Sequence, residues 1–178
     1  MACVLTDKVL TSENYASDVS AVMDATLLRF GEEEWHKVVL TNEIHGHLGI
    51  YSTLGAKMGV YAMSLHDGDE EPRVLSYAGS QPPVSCFNDG LQVSTGATMG
   101  HGLFSVDEGA EKRVEALFQW SEKTMRLRLK PAFEQIIKAD IKKGVEQYGH
   151  TPPYWDYVRK LAIKYWSEWN RNEIFETI

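Results

Sequence analysis

The sequence predicts an α+β fold, an antiparallel or mixed sheet packed with helices, and three observations carry that expectation. Several stretches repeat apolar residues at three- and four-residue spacing, the mark of amphipathic helices. Shorter runs, bounded by Gly, Pro, Asp and Ser, have the length and composition of strands. Between Leu48 and Met63, large residues interleave with glycine and alanine, a pattern that suits a tightly buried helix following a His-Gly-His motif.

Taken in order, Tyr15, Val19, Val22, Met23, Leu27 and Phe30 form the apolar stripe of a helix that Gly31 ends. Glu32, Glu33 and Glu34 read as the solvated first turn of a second, short helix carrying Trp35, Val38 and Val39. The buried helix follows, with Ile50, Leu54 and Met58 set against Gly55, Ala56, Gly59 and Ala62. Residues 66–72 form an acidic loop and residues 73–78 a strand. Pro82 and Pro83 lead to Cys86, which opens a helix of about two to three turns; Gly96, Gly100 and Gly102 break it before a strand at 102–106. Residues 114–120 and 124–130 read as a hairpin in which Arg126, Arg128 and Lys130 make one wet, basic face. Pro131 opens a helix to about Tyr148, with Phe133, Ile136, Ile137, Ile141 and Val145 on its stripe. Pro152 and Pro153 open a last one, rich in Tyr154, Trp155, Tyr165, Trp166 and Trp169. Its apolar surface either packs on the chain's own body or forms a dimer seam, since aromatic residues are favoured in interface cores. The expected division is a metal-binding α+β domain over residues 1–148 and an aromatic helical extension over 149–178, packed on the domain or on a partner copy in a homodimer.

A chain of 178 residues with 43% hydrophobic content can bury one substantial core. The net charge of −7 repels a phosphate backbone, so nucleic acid is not an expected partner. No stretch approaches the apolar length of a membrane span and the first residues lack a signal-peptide pattern, so a cytoplasmic location is expected, without membrane association. Cys3 and Cys86 are too few for a disulfide framework, and Cys86 reads as a free thiol or a ligand.

The chemistry-bearing residues gather in two segments, 43–49 and 86–102. His45 and His47 are two apart, so an extended backbone would turn both to one face, where they can share an ion. A turn at Gly46 would let only one reach it, and His47, next to Leu48 and the buried helix, is then favoured. Cys86 and Asp89 fall on one face of a helical turn, and Asp89 can orient a ligand histidine by accepting its second ring N–H. The candidate metal ligands are His45, His47 and Cys86; the alternatives are a hydrogen-bonded loop for the histidine pair and a small buried hydrophobe for Cys86, whose case as a ligand rests on the block that it opens. Thr95, Thr98 and His101 are candidates for contact with a bound cofactor or small anion, or serve the glycine-rich turn, and His101 is an alternative ligand. His36, His66 and His150 read as structural or exposed.

These segments resemble the FmdE family of formylmethanofuran dehydrogenase proteins, on the His-Gly-His-Leu run before a Gly-rich, Met-containing helix and on the Cys-x-x-Asp-Gly-Leu-Gln-Val-Ser-Thr-Gly-x-Thr-x-Gly-x-Gly block, over about residues 10–130. The resemblance implies a metal-binding α+β domain that accompanies a molybdenum or tungsten enzyme or stands alone. Gly49 and Ala97 occupy places where many members carry cysteine, and His101 one where many carry lysine. The expected function is a metal-binding accessory protein in a redox pathway, with a small-molecule ligand, a redox-enzyme partner and a divalent transition metal. His and Cys donors favour zinc over nickel, iron or haem. The alternatives are a stand-alone metal-dependent enzyme, hydrolytic or redox, a haem- or cofactor-binding dimer, and an interaction module.

Overall fold

The computed structural model describes residues 11–68 and 70–178; Cys3 and the N-terminal stretch read for a signal lie outside the described residues. Helix α1 spans Ser17–His45 and is kinked at Gly31, whose φ of 85° and ψ of 167° interrupt the helix without ending it. The second half is thus longer than the short helix expected, and it ends at the first motif histidine. Val19, Met23 and Phe30 bury one stripe before the kink, and Trp35, Val38, Thr41 and Asn42 continue it.

Glu34 corrects the sequence reading of a solvated acidic turn, because it is fully buried and pairs with the equally buried Lys57. Lys57 belongs to helix α2, Ile50–Ser64, where nearly every side chain is buried. Arg171 Nη1 reaches Glu34 Oε2 at 2.8 Å, and Lys57 Nζ also donates to the Trp166 carbonyl at 3.0 Å. The pair therefore ties both helices to the C-terminal segment.

Helix α3, Phe87–Thr95, crosses α2 backbone against backbone. A Cβ on Gly90 would collide with the Ser52 carbonyl and the Ala56 amide, and one on Gly55 with the Phe87 carbonyl. This close crossing fixes Cys86 and Asp89 relative to the end of α1.

The sheet runs β2-β1-β3-β4-β5, from β1 (Arg73–Ser76), β2 (Phe104–Val106), β3 (Glu115–Gln119), β4 (Thr124–Leu129) and β5 (Phe175–Thr177). Only β1 and β2 pair in parallel, so the sheet is mixed. Ala116 opposite Leu127 and Phe118 opposite Met125 face the core that Trp35, Leu54, Leu91 and Trp166 share. The other face carries the expected arginines, but they are half-buried and paired: Arg126 with Glu115, and Arg128 with Glu176 at 2.6 Å.

Helix α4 (Pro131–Tyr148) and helix α5 (Pro152–Glu168) follow the two proline starts as expected. The extension is not helical to its end, because a one-turn helix α6 (Arg171–Ile174) leads into β5, which pairs with β4. Three residues, Phe175, Glu176 and Thr177, are too few to show strand periodicity. Tyr154, Tyr165 and Trp166 are buried within the chain, and Trp166 stacks on Trp35 at 4.4 Å, whereas Trp155 is 58% exposed. Among the described residues no helix is long and apolar enough to cross a membrane.

Candidate functional site

Gly46 takes a left-handed conformation, φ 82°, and caps α1, so the chain reverses immediately after His45. Asn42, one turn earlier, anchors the reversal. Its side-chain oxygen accepts from the Gly49 amide at 3.0 Å and the Ser52 hydroxyl at 2.7 Å, and its amide donates to the Val38 carbonyl at 2.8 Å and the Thr53 hydroxyl at 3.2 Å. A buried Asn with oxygen and nitrogen both partnered holds a loop in one conformation.

His45 Nδ1 meets Asp89 Oδ2 at 2.6 Å. Facing a carboxylate, Nδ1 is the nitrogen that donates, so in a neutral ring Nε2 is the one that offers a lone pair. That nitrogen is buried and has no hydrogen-bond partner among the described residues. Asp89 sits in the first turn of α3, where the helix dipole favours a carboxylate. The expectation that Asp89 orients a histidine thus holds for His45. Of the two rings it is His45 that is tethered, with its side chain 11% exposed, while His47 is exposed. The reason is that Gly46 turns the chain, leaving His45 on the helix and His47 beyond it. The rings still lie 4.4 Å apart. Partial desolvation at the cavity edge, and then the neighbouring His45, hold the largely exposed His47 ring below the usual histidine pKa.

Cys86 ends a 3-10 turn, Val84–Cys86, and its thiol is free and partly buried. Burial, and then the Asp89 carboxylate, push its pKa up, so it is held as thiol rather than thiolate. His45, His47 and Cys86 line one cavity of about 490 Å³, walled by Ile50, Tyr51, Ile141, Tyr154, Trp155 and Val158. Burial, with Glu134 next, raises the Tyr51 hydroxyl to about 12, so it stays a donor. His45 and Cys86 also border a more open depression with Asp89, Asn88, Gln92 and Met99. Among the described residues no group of three or more His, Cys, Asp or Glu side chains is assembled to hold a metal ion.

Thr95, Thr98 and His101 lie at the other end of α3, about 13 Å along a nine-residue helix from Cys86. Thr95 is buried and bonds the Leu91 carbonyl at 2.6 Å, and Thr98 accepts from the His101 amide at 3.2 Å. His101 is exposed, with Glu71 at 3.9 Å. The structure therefore gathers His45, His47 and Cys86 at one cavity and leaves these three outside it. His36 lies within α1 and His66 stacks on Trp120 at 4.5 Å, whereas His150 lines the cavity with Tyr154. Nothing in the sequence around His150 signals that place, because the turn between α4 and α5 brings it there. Gly49 also abuts the site: a Cβ there would lie 2.8 Å from the Ser52 hydroxyl and 3.6 Å from His45 Nε2.

The site is a carboxylate-backed histidine that shares a cavity with a second histidine and a thiol, on a mixed-sheet α+β body. The model of the family described as FmdE, molybdenum formylmethanofuran dehydrogenase operon, matches residues 44–176, and the chain belongs to that family. The match starts one residue before His45 and continues through α5 and α6, so it takes in the C-terminal region beyond the resemblance visible in the motifs. No curated protein matches the chain.

Proposed function

We propose that the chain is a metal-binding accessory protein that holds one transition-metal ion, zinc before nickel, iron or haem, at His45, His47 and Cys86. The observation that supports this most is the state of His45, with Nδ1 engaged by Asp89 and Nε2 buried without a partner among the described residues. Metal-bound histidines commonly have this carboxylate support, which fixes the tautomer and raises the basicity of the ligating nitrogen. His47 and Cys86 would close on the ion by side-chain rotation, since they are not assembled around it beforehand. Ligation by Cys86 would release its proton, so its raised pKa makes the proton a competitor that the bound cation must displace, and affinity should rise with pH. Three protein donors leave a fourth position open for a small molecule, and the ion would supply Lewis-acid polarisation there.

The alternative of a cysteine nucleophile is less well supported. Nε2 of His45 has no partner among the described residues, so it does not hydrogen-bond the Cys86 thiol as an activating base would. A homodimer and a redox-enzyme partner are part of the same proposal. In a competition with a chromophoric chelator, Asp89→Asn should weaken metal affinity about ten- to a hundredfold, the usual effect of removing a ligand's supporting carboxylate. Unchanged affinity would show that the His45–Asp89 pair does not serve a metal.

A further inference from the structure

The cavity beside the histidines has walls of two unlike kinds. His45, His47, Cys86 and His150 line it, and so do Tyr51 of α2, Ile141 of α4 and Tyr154, Trp155 and Val158 of α5. Apart from the histidines, no acidic or basic side chain lines it among the described residues. Against the walls away from the histidines a charged group would lose its hydration with nothing to replace it, so the part of a ligand lodged there is uncharged. The aromatic walls select shape as well. Tyr154 and Trp155 meet at 5.1 Å and 70°, and His150 meets Tyr154 at 5.5 Å and 78°, so the rings form corners rather than one flat wall. A planar ring can stack on one face of such a corner and present its edge to the other, the two arrangements aromatic pairs prefer. A volume of about 490 Å³ falls within the range of small-molecule sites.

We propose that this cavity binds a planar heteroaromatic molecule, with an uncharged ring held among Tyr51, Tyr154 and Trp155 and its heteroatom turned toward His45, His47 and Cys86. The heteroatom end rests on the metal reading above, where it would take the open coordination position. The aromatic end rests on the cavity walls alone. Tyr51 contributes a protonated hydroxyl as a donor to the ligand's edge.

The test uses 4-phenylimidazole and imidazole as probes, titrated by calorimetry and tryptophan fluorescence into the full chain, metal-loaded and metal-free. The phenyl compound should bind at least tenfold more tightly than imidazole. Val158→Glu and Trp155→Ala, at partly or largely exposed positions, should each reduce that advantage at least fivefold while leaving the melting transition in place. Equal affinities for the two probes, or an undiminished advantage in both variants, would overturn the proposal. Failure of the metal reading gives a different signature: the protein would hold no metal against a chelator, yet the phenyl advantage would persist in the metal-free protein and vanish in the two variants.

Discussion

Gly90→Ala should destabilise the chain by about 3 kcal/mol or more, the upper end of overpacking costs, and take the site with it. Helix propensity alone argues the opposite sign, since alanine is favoured over glycine within a helix by about 1 kcal/mol. The new methyl group decides the outcome, because it would collide with the Ser52 carbonyl and the Ala56 amide of α2. Backbone atoms cannot rotate away as a side chain can, so α2 and α3 must separate. That separation moves Asp89 from His45. Gly100→Ala is the control: its Cβ would meet only Thr98 Oγ1, at 3.8 Å, and stability should stay within about 0.5 kcal/mol. Urea denaturation of both variants decides it, and a Gly90→Ala protein as stable as its parent would mean that the two helices do not cross this closely.

Glu34→Ala should cost about 3–5 kcal/mol at neutral pH, as expected when one partner of a buried ion pair is removed and the other is left uncompensated. Glu34 and Lys57 are both fully buried, and Lys57 also lies over the Phe30 ring at 4.1 Å. Burial already pulls Lys57 down to about 8, against the opposing pull of Glu34. Its pKa in the folded state is thus below its unfolded value of 10.5, so the unfolded chain binds more protons between those limits and the Lys57 contribution to stability rises with pH across that window. Without Glu34 the folded-state pKa falls further and the window opens downward. The loss caused by Glu34→Ala should therefore shrink as pH rises toward and just past about 8, where Lys57 becomes neutral in the parent as well, and level off above that. Denaturation at about pH 7 and about pH 9.5 measures this, and a loss under about 1 kcal/mol at neutral pH would contradict the uncompensated-charge account.

Glu34 also shows where sequence reading stops. A glutamate in a run of three is most economically read as solvated, and its partner Lys57 stands 23 residues away inside a glycine-rich helix. Only the tertiary arrangement pairs them. Asp89 is different, because a carboxylate three residues after Cys86 must share its face on a helical turn, and its role toward a histidine is legible for that reason. Which histidine it serves is not legible, since that depends on the φ of one residue, Gly46. Asn42 gives no local signal either; its four bonds go to groups that fold back onto it from 4 to 11 residues away. The helix starts at Pro131 and Pro152 are legible, because proline at a first helical position loses no hydrogen bond. The strand at Phe175 is not, for it is defined by the neighbour it pairs with.

The most direct test is the metal content of the purified chain beside its His45→Ala variant, by elemental analysis together with an absorption spectrum. About one transition-metal ion per chain is expected in the parent, colourless if zinc and coloured if iron or haem, with loss of most of it in the variant as expected for a site of three protein ligands. A parent free of metal after native purification, or a His45→Ala variant that retains the parent's full complement, would contradict the assignment of His45 as the centre of the site.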